Sequence, residues 1–142
     1  MEGAVKAPTH LWIVGGLSVL WNAFGAFDYV MTQTANEAYL SQFTPEQRAY
    51  FDSFPMWMEV VWAVGVWGAV LGSVLLLLRS KWAFHALLAS LIAFAGSVVY
   101  GQTSGGAAVM GTTGMVFSAA IFLLGLGFVM YSRMMTRKGV LR

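Results

Sequence analysis

The sequence predicts an all-α integral membrane protein, a bundle of four transmembrane helices with one short amphipathic helix at its surface. Of its 142 residues, 58% are hydrophobic and 10% are charged, which is too apolar for a soluble protein. A hydrocarbon core of roughly 30 Å takes about 20 residues of helix to cross. Four windows of about this length carry at most one charged residue each, at residues 11–31, 57–78, 82–100 and 110–131. They make residues 1–142 a single membrane domain.

The first window, residues 11–31, is expected to be retained as a membrane span. A secretory signal has a hydrophobic region of about 7 to 15 residues, and this window is longer. It is also not followed by a small-x-small cleavage site. The lipid bilayer is therefore the expected partner of the chain from its first helix onward.

The long connection after the first span contains a helix start. In the run T-P-E-Q, Thr44 has the position of an N-cap, Pro45 that of the first helical residue and Gln47 that of the capping-box partner. The aromatic residues of this connection recur mostly every three or four positions, as on one face of an interfacial helix: Tyr39, Phe43, Tyr50, Phe51 and Phe54. We expect a helix at about residues 44–54 that caps the bundle from outside.

Three residues join the second and third spans, which predicts an antiparallel helical hairpin. In lipid, helices associate through close approach of their backbones, so small residues mark packing surfaces. Such residues recur in the second and fourth spans, at Gly65, Gly68, Gly72, Gly111, Gly114 and Ser118. They predict helix packing, either within the chain or between copies in a homo-oligomer.

Basic residues are segregated to one side of the predicted bundle. Seven precede the first span, join the second to the third or follow the fourth, and only Arg48 lies in the long first connection. Since short loops rich in Lys and Arg stay in the cytoplasm, both termini are predicted to be cytoplasmic. The acids run the other way, with Glu2 inside and Asp28, Glu37, Glu46, Asp52 and Glu59 outside. The basic pI then reflects topology, and no nucleic acid partner is implied.

Two carboxylates are predicted to lie just inside the outer boundary of the membrane. At 1.5 Å per residue, Asp28 lies roughly 10 Å from the midplane, and Glu59 is the third residue of the second span at a similar depth. The pair can hold a cation or pass a proton, with Tyr29 and Gln102 near enough in depth to complete a shell. The alternative is that each acid meets interfacial water or, for Glu59, the amino end of its own helix.

Asn22 lies close to the midplane of the first span, where an unpaired amide is costly. Ser18, Asn22 and Tyr29 share one helical face, which is expected to point into the bundle. The expected partner is a serine of another helix, such as Ser90 or Ser97, and the alternative is contact with a ligand. In both cases Asn22 is buried and belongs with the candidate polar site.

Two histidines, His10 and His85, lie near the cytoplasmic ends of their spans. Because both lie at the same depth, bis-histidine ligation of haem is one hypothesis, but His10 is close to water. The alternative is that the histidines are interfacial anchors beside Trp12 and Trp82. No cofactor is therefore predicted. The chain lacks cysteine and has no HExxH, P-loop or GxSxG motif, so an enzyme is not the expectation.

Three stretches of the chain carry a resemblance: W-N-A-F-G-A-F-D-Y-V-M-T-Q-T, F-T-P-E-Q and V-W-G-A-V-L-G-S-V-L-L-L-L-R. Together they resemble a family of uncharacterised small four-span inner-membrane proteins of proteobacteria, some of which carry a transporter-like label. The resemblance covers most of the chain and implies a bacterial inner membrane, without supplying catalytic or binding residues.

The sequence leads to three functional hypotheses. The first is a non-enzymatic inner-membrane protein that acts as a homo-oligomer or as an accessory subunit of a membrane complex, because small residues abound and the midplane is uncharged. The second is a small-solute or cation transporter or channel in which Asp28 and Glu59 collect the cation and Asn22 lies on its path. The third is a haem or quinone redox subunit.

Overall fold

The computed structural model describes residues 5–142, and every element of regular structure in that range is helical. Glu2 lies outside the described residues. Four of the helices are long and apolar enough to cross a membrane, which confirms the predicted all-α, multi-pass class. In chain order the helices are α1 (Thr9–Gln33), α2 (Glu37–Leu40), α3 (Pro45–Asp52), α4 (Met56–Leu77), α5 (Trp82–Thr103) and α6 (Gly106–Arg137).

Helix ends differ most from the predicted window in α6, which runs over Gly106–Arg137 where the sequence predicts 110–131. A hydropathy window covers only the residues that cross the hydrocarbon core. The helix itself can extend beyond the core into the headgroup region, because it makes its backbone hydrogen bonds internally. Arg133 and Arg137 therefore lie on the last turns of α6. From there their long side chains can reach water.

Helices α4 and α5 form the most extensive helix pair, the predicted hairpin, and three glycines of α4 face α5. A Cβ atom at Gly72 would lie 2.6 Å from Cγ of Leu87, and one at Gly68 would lie 3.3 Å from Cβ of Ser90. The carbonyl of Gly65 accepts a hydrogen bond of 2.5 Å from Oγ of Ser90. These glycines therefore serve packing within the chain, where a missing side chain lets two backbones approach.

Helix α6 packs against α5 and is interrupted at Gly111. Gly111 has φ 72° and ψ −169°, a conformation that L residues rarely adopt. Apart from its own helical neighbours, no atom lies within 4 Å of a Cβ placed there, so Gly111 sets the path of α6 and is not the packing residue that we expect from the sequence. A Cβ at Gly114 would lie 2.5 Å from Cβ of Met110, across the same interruption. Ser118 follows one turn later and lines a cavity.

The four spanning helices pack in the order α1, α4, α5, α6, and across the described range α1 and α6 make only sparse backbone contact. Helix α1 lies close to α4, since a Cβ at Gly15 would be 2.5 Å from Cδ2 of Leu77. Between α1 and α6, the rings of Trp21 and Phe117 have centroids 6.3 Å apart. The bundle is thus a row of helices whose first and last members leave a gap.

One end of the bundle, called here the basic end, contains the start of α1, the α4–α5 turn and the end of α6. A hydrophobic cluster closes it, formed by Leu11, Leu76, Ala83, Met135, Val140 and Leu141. Arg79 in the turn has φ 57° and donates from Nε to the carbonyl of Val140 at 3.0 Å. Its Nη2 donates to the carbonyl of Val5 at 2.5 Å. One side chain therefore ties the segments before α1 and after α6 to the turn.

The opposite end, called here the acidic end, is covered by α2 and α3. The predicted capping box of α3 is confirmed: Oγ1 of Thr44 accepts a hydrogen bond from the backbone N–H of Gln47, and Oε1 of Gln47 accepts one from that of Thr44, both at 3.1 Å. Pro45 occupies the first turn as expected. The end of this helix at Asp52 is close to the predicted limit at residue 54.

Helix α2 is absent from the sequence prediction. Its N-cap is Asn36, whose Oδ1 accepts a hydrogen bond of 3.0 Å from the backbone N–H of Tyr39. A bidentate ion pair with two contacts of 2.9 Å joins Arg48 of α3 to Glu37 of α2, and these hydrogen bonds and the charge of Arg48 lower the pKa of Glu37. The hydroxyl groups of Tyr50 and Ser104 lie 2.8 Å apart and attach α3 to the α5–α6 connection.

Candidate functional site

A cavity of about 910 Å³ lies between α1 and α6, with α4 and α5 behind it and α2 and α3 over its acidic end. Its size falls among sites that hold small molecules, about 300 to 1,000 Å³. Aromatic and aliphatic side chains form most of the lining, and the polar lining residues include Asn22, Asp28, Gln42, Gln47 and Ser97. The cavity opens through the gap between α1 and α6, where Phe24 and Phe117 line it and are 72% and 58% exposed.

Asn22 lines the middle of this cavity, where it is half-buried and not fully buried as predicted, and it also joins two helices. Its Nδ2 donates a hydrogen bond of 3.2 Å to the backbone carbonyl of Ala69 on α4. The predicted serine partner is therefore wrong, because Ser90 bonds to Gly65 and Ser97 bonds to Phe94 in its own helix. A small residue on α4 lets the amide of α1 reach the backbone directly.

The face of α1 that carries Ser18, Asn22 and Tyr29 points into the bundle, as predicted, and the helix that it meets is α4. Ser18 is fully buried and donates to the carbonyl of Gly15 at 2.8 Å. Tyr29 packs edge-on against Trp62 and Trp67 of α4, with centroid distances of 4.8 and 5.8 Å. Tyr29 thus holds α1 to α4 and is not a lining residue of the cavity.

Asp28 lines the cavity near its acidic end and accepts a hydrogen bond from the hydroxyl of Tyr39 on α2. The Tyr39 ring packs edge-on against Phe27 and Phe43, with centroid distances of 5.6 and 5.9 Å. Burial, together with the neighbouring Asp28 carboxylate, raises the pKa of Tyr39 to about 12. Tyr39 therefore remains a hydrogen-bond donor at neutral pH.

Glu59 lies at the same end of the bundle but in a different environment. Its Oε2 accepts a hydrogen bond of 2.5 Å from Nε2 of Gln33, and Glu59 does not line the cavity. Gln33 is four residues after Tyr29, so Glu59 meets the α4-facing side of α1, whereas Asp28 faces the cavity. The structure does not bring the two carboxylates into the shared shell that the sequence hypothesis requires.

Gln102, the last of the candidate polar residues, lies in a second cavity of about 550 Å³ between α5 and α6. Gly106, Met110 and Gly114 line the same space. The five candidate residues are consequently distributed over three places: Asn22 and Asp28 in the main cavity, Tyr29 and Glu59 between α1 and α4, and Gln102 beside α6. Two of the five, Asn22 and Asp28, line the main cavity.

The histidines lie apart from the main cavity and have separate partners. Nδ1 of His10 lies 2.5 Å from the hydroxyl of Tyr131, which links the start of α1 to the end of α6. His85 is exposed and lies against Trp82, with ring centroids 4.9 Å apart. Over residues 5–142 there is no group of three His, Asp or Glu side chains arranged to hold a metal ion.

The cavity contains functional groups that the sequence hypothesis does not include. Tyr39, Gln42 and Gln47 come from the α2–α3 cover and reach the same space as Asp28. Their sequence signal is weak: Tyr39 belongs to the aromatic stripe, and its hydroxyl is the one feature that sets it apart from the phenylalanines. The sequence places these aromatic residues at about the same depth as Asp28. Which of them contacts Asp28 depends on how the segment between α1 and α4 folds.

Comparison of the chain with protein-family models, with curated proteins and with solved structures gives no match in any of the three. The resemblance to small four-span proteobacterial proteins stays a prediction. The feature that bears on function is the cavity itself, a largely apolar space with one amide at its centre and one carboxylate near its acidic end.

Proposed function

We propose that this chain is a non-enzymatic protein of a bacterial inner membrane that binds a small amphipathic molecule in the cavity between α1 and α6. The lining of the cavity carries the proposal. A volume of about 910 Å³ is bounded mostly by aromatic and aliphatic side chains, with Asp28, Gln42 and Gln47 at its acidic end. Binding sites for small molecules combine apolar walls, which supply most of the affinity, with a few polar groups, which set orientation.

Both termini are proposed to lie in the cytoplasm, which puts the acidic end on the outer side. The support is the concentration of Lys and Arg at the basic end, in the α4–α5 turn and after the fourth span. At that end, the hydrophobic cluster and the hydrogen bonds of Arg79 leave little space. A ligand therefore enters from the outer side or, through the gap between α1 and α6, from the lipid.

The open side of the bundle also supports a role in a larger assembly. Because α1 and α6 make sparse contact, lipid, a second copy of the chain or a helix of a partner subunit has to cover the gap. The homo-oligomer and accessory-subunit hypotheses both remain compatible with ligand binding in the cavity. Gly65, Gly68 and Gly72 do not supply this contact, since they face α5.

Transport of the bound molecule is the second candidate, and the interruption of α6 at Gly111 favours it. Gly111 is the second residue of the predicted span 110–131 and so lies near the outer boundary of the membrane. Irregular backbone occurs there where it lines a cavity, and the interrupted helices of many transporters likewise line their binding sites. Met110 and Phe117, on the two sides of the interruption, both line the cavity. A quinone is also amphipathic, so a quinone-binding redox subunit falls within the same ligand class.

Two glycines of α1 allow a matched test. A Cβ atom at either Gly25 or Gly16 meets nothing within 4 Å, but Gly25 lines the cavity and Gly16 does not. Native mass spectrometry in mild detergent should detect a bound small molecule on the wild type and on Gly16→Trp. The bound mass should be lost from Gly25→Trp, whose indole enters the cavity and takes space from the ligand. A wild type without any bound molecule, or equal retention by the two variants, would overturn the proposal.

A further inference from the structure

We infer that the ligand of this cavity is a bulky organic cation, held by the carboxylate of Asp28 among aromatic rings. The inference rests on the proposed function and adds the chemical class of the ligand. Among the described residues that line the cavity, Asp28 is the one with a charged side chain. An amphipathic molecule that places its polar group near this carboxylate is favoured when that group is positive.

The carboxylate has no cation of the protein as its partner in the described structure. Its hydrogen-bond donor is the neutral hydroxyl of Tyr39. The basic residue at the same end, Arg48, is engaged by both oxygens of Glu37 at 2.9 Å. A charge in an apolar cavity is costly without a counter-charge, so a cationic ligand would supply what the chain does not.

The aromatic rings of the cavity lining suit an organic cation. A series of edge-on ring pairs runs through the cavity lining, with centroid distances from 5.4 to 6.3 Å. Its members are Phe27, Tyr39, Phe43, Phe51, Phe54 and Trp62. Aromatic faces carry negative partial charge and attract quaternary or delocalised cations within about 6 Å, an attraction that grows when the pair is desolvated.

A metal ion fits this site less well. Calcium and magnesium ions take about six to eight oxygen ligands in proteins, often from several carboxylates. At the acidic end the lining offers one carboxylate, the hydroxyl groups of Thr32, Tyr39 and Tyr50 and the amides of Gln42 and Gln47, and residues 5–142 hold no group of three acidic or histidine ligands. The surrounding acidic end, with five acids and one arginine in the sequence, raises the local concentration of any cation.

Two ions of nearly equal size and opposite charge provide the test, tetraphenylphosphonium and tetraphenylborate. Each is measured by equilibrium dialysis against the purified protein in mild detergent. Tetraphenylphosphonium should bind the wild type. Asp28→Asn should weaken the binding of tetraphenylphosphonium about tenfold or more and should strengthen the binding of tetraphenylborate. Glu59→Gln is the matched control, because it removes the same charge at the same end but outside the cavity, and it should leave both affinities unchanged. Asp28→Glu keeps the charge and should keep the preference for the phosphonium ion.

The possible failures separate the two proposals. If both ions bind the wild type equally and Asp28→Asn changes neither, the assignment of a cationic ligand is overturned. Ligand binding in the cavity then still stands, provided that Gly25→Trp abolishes both. If Glu59→Gln weakens the phosphonium ion as strongly as Asp28→Asn does, the effect comes from the general charge of the acidic end, and the role of Asp28 is overturned. If neither ion binds the wild type, the cationic class is overturned, and the bound mass tests the proposed function separately.

Discussion

The hydroxyl of Tyr39 on α2 donates a hydrogen bond to the carboxylate of Asp28 on α1. This contact joins the cover of the acidic end to the wall of the cavity. Tyr39 also belongs to the ring series, through Phe27 on α1 and Phe43 ahead of α3. A ligand bound to the Asp28 carboxylate would therefore act on the position of the α2–α3 cover through the side chain of Tyr39.

A double-mutant cycle tests the bond between Tyr39 and Asp28. Tyr39→Phe should lower the free energy of unfolding by about 1 to 2 kcal/mol, because a half-buried bond to a charged group is lost. With Asp28→Asn already present, the same substitution should cost less, since the remaining acceptor is neutral. Chemical unfolding in detergent, followed by tryptophan fluorescence, gives both values. An equal cost with and without Asp28→Asn would show that the hydroxyl does not act through this carboxylate.

The raised pKa of Tyr39 predicts a change of stability at alkaline pH. Burial and the Asp28 carboxylate raise this pKa from 10.0 to about 12, so the folded state favours the protonated phenol. That contribution is complete below about pH 10, the pKa of the unfolded chain, and is lost as the pH rises towards 12. Between these values the wild type should lose more stability than Tyr39→Phe. Tyrosinate absorbance should show the matching late ionisation, and a wild type and variant that titrate alike would contradict the prediction.

The close approach of α4 and α5 at Gly72 predicts a low tolerance for side chains. A Cβ atom there would lie 2.6 Å from Cγ of the buried Leu87, so Gly72→Ala should destabilise the protein by about 1 to 3 kcal/mol. Gly16→Ala is the control, because a Cβ at Gly16 meets nothing within 4 Å. Thermal unfolding in the same detergent compares the two. If Gly72→Ala were as stable as the wild type, the helices would have to be further apart than described.

The interruption of α6 predicts a different response at Gly111 from that at a helical glycine. Gly111→Ala places a Cβ on a backbone with φ 72°, which should cost about 1 to 3 kcal/mol. Gly127→Ala, at a position with open space around it and no positive φ, should be neutral or should stabilise the helix by up to about 1 kcal/mol. Thermal unfolding again provides the comparison. A neutral Gly111→Ala would mean that α6 can continue as an uninterrupted helix.

Local sequence patterns predict much of this fold. The spans, the α4–α5 hairpin and the capping box of Thr44 and Gln47 each depend on residues close together in the chain, and the structure has all of them. The glycines of α4 were likewise predictable as packing residues, because small side chains allow close helix contact whatever the partner. Gly111 differs, since composition alone does not distinguish a packing glycine from one that breaks a helix.

The composition of the candidate site depends on the direction in which each side chain points, which the depth of a residue in the membrane does not give. Asp28 and Glu59 lie at a similar depth in the membrane. A helix turns by about 100° per residue, so Asp28 faces the cavity while the next residue, Tyr29, faces α4, the helix that carries Glu59. Level along the membrane therefore cannot predict whether two carboxylates meet. The partner of Asn22 is a backbone carbonyl, a group that every residue carries, and the sequence does not single out Ala69.

The contacts of the basic end also set how the two sides of the gap can move. His10 and Tyr131 join α1 to α6 there, and Arg79 ties the adjoining segments to the α4–α5 turn. If α1 and α6 separated, this end would be the pivot, and α1, a helix of 25 residues about 37 Å long, would have to carry α4 with it, because Asn22, Tyr29 and Gln33 hold these two helices together. A tilt of about 5° around the pivot would displace the far end of α1 by about 3 Å, roughly the width of a methylene chain. The carboxylate of Asp28 lies in the last third of this helix, where a given rotation moves a side chain further than it does near the pivot.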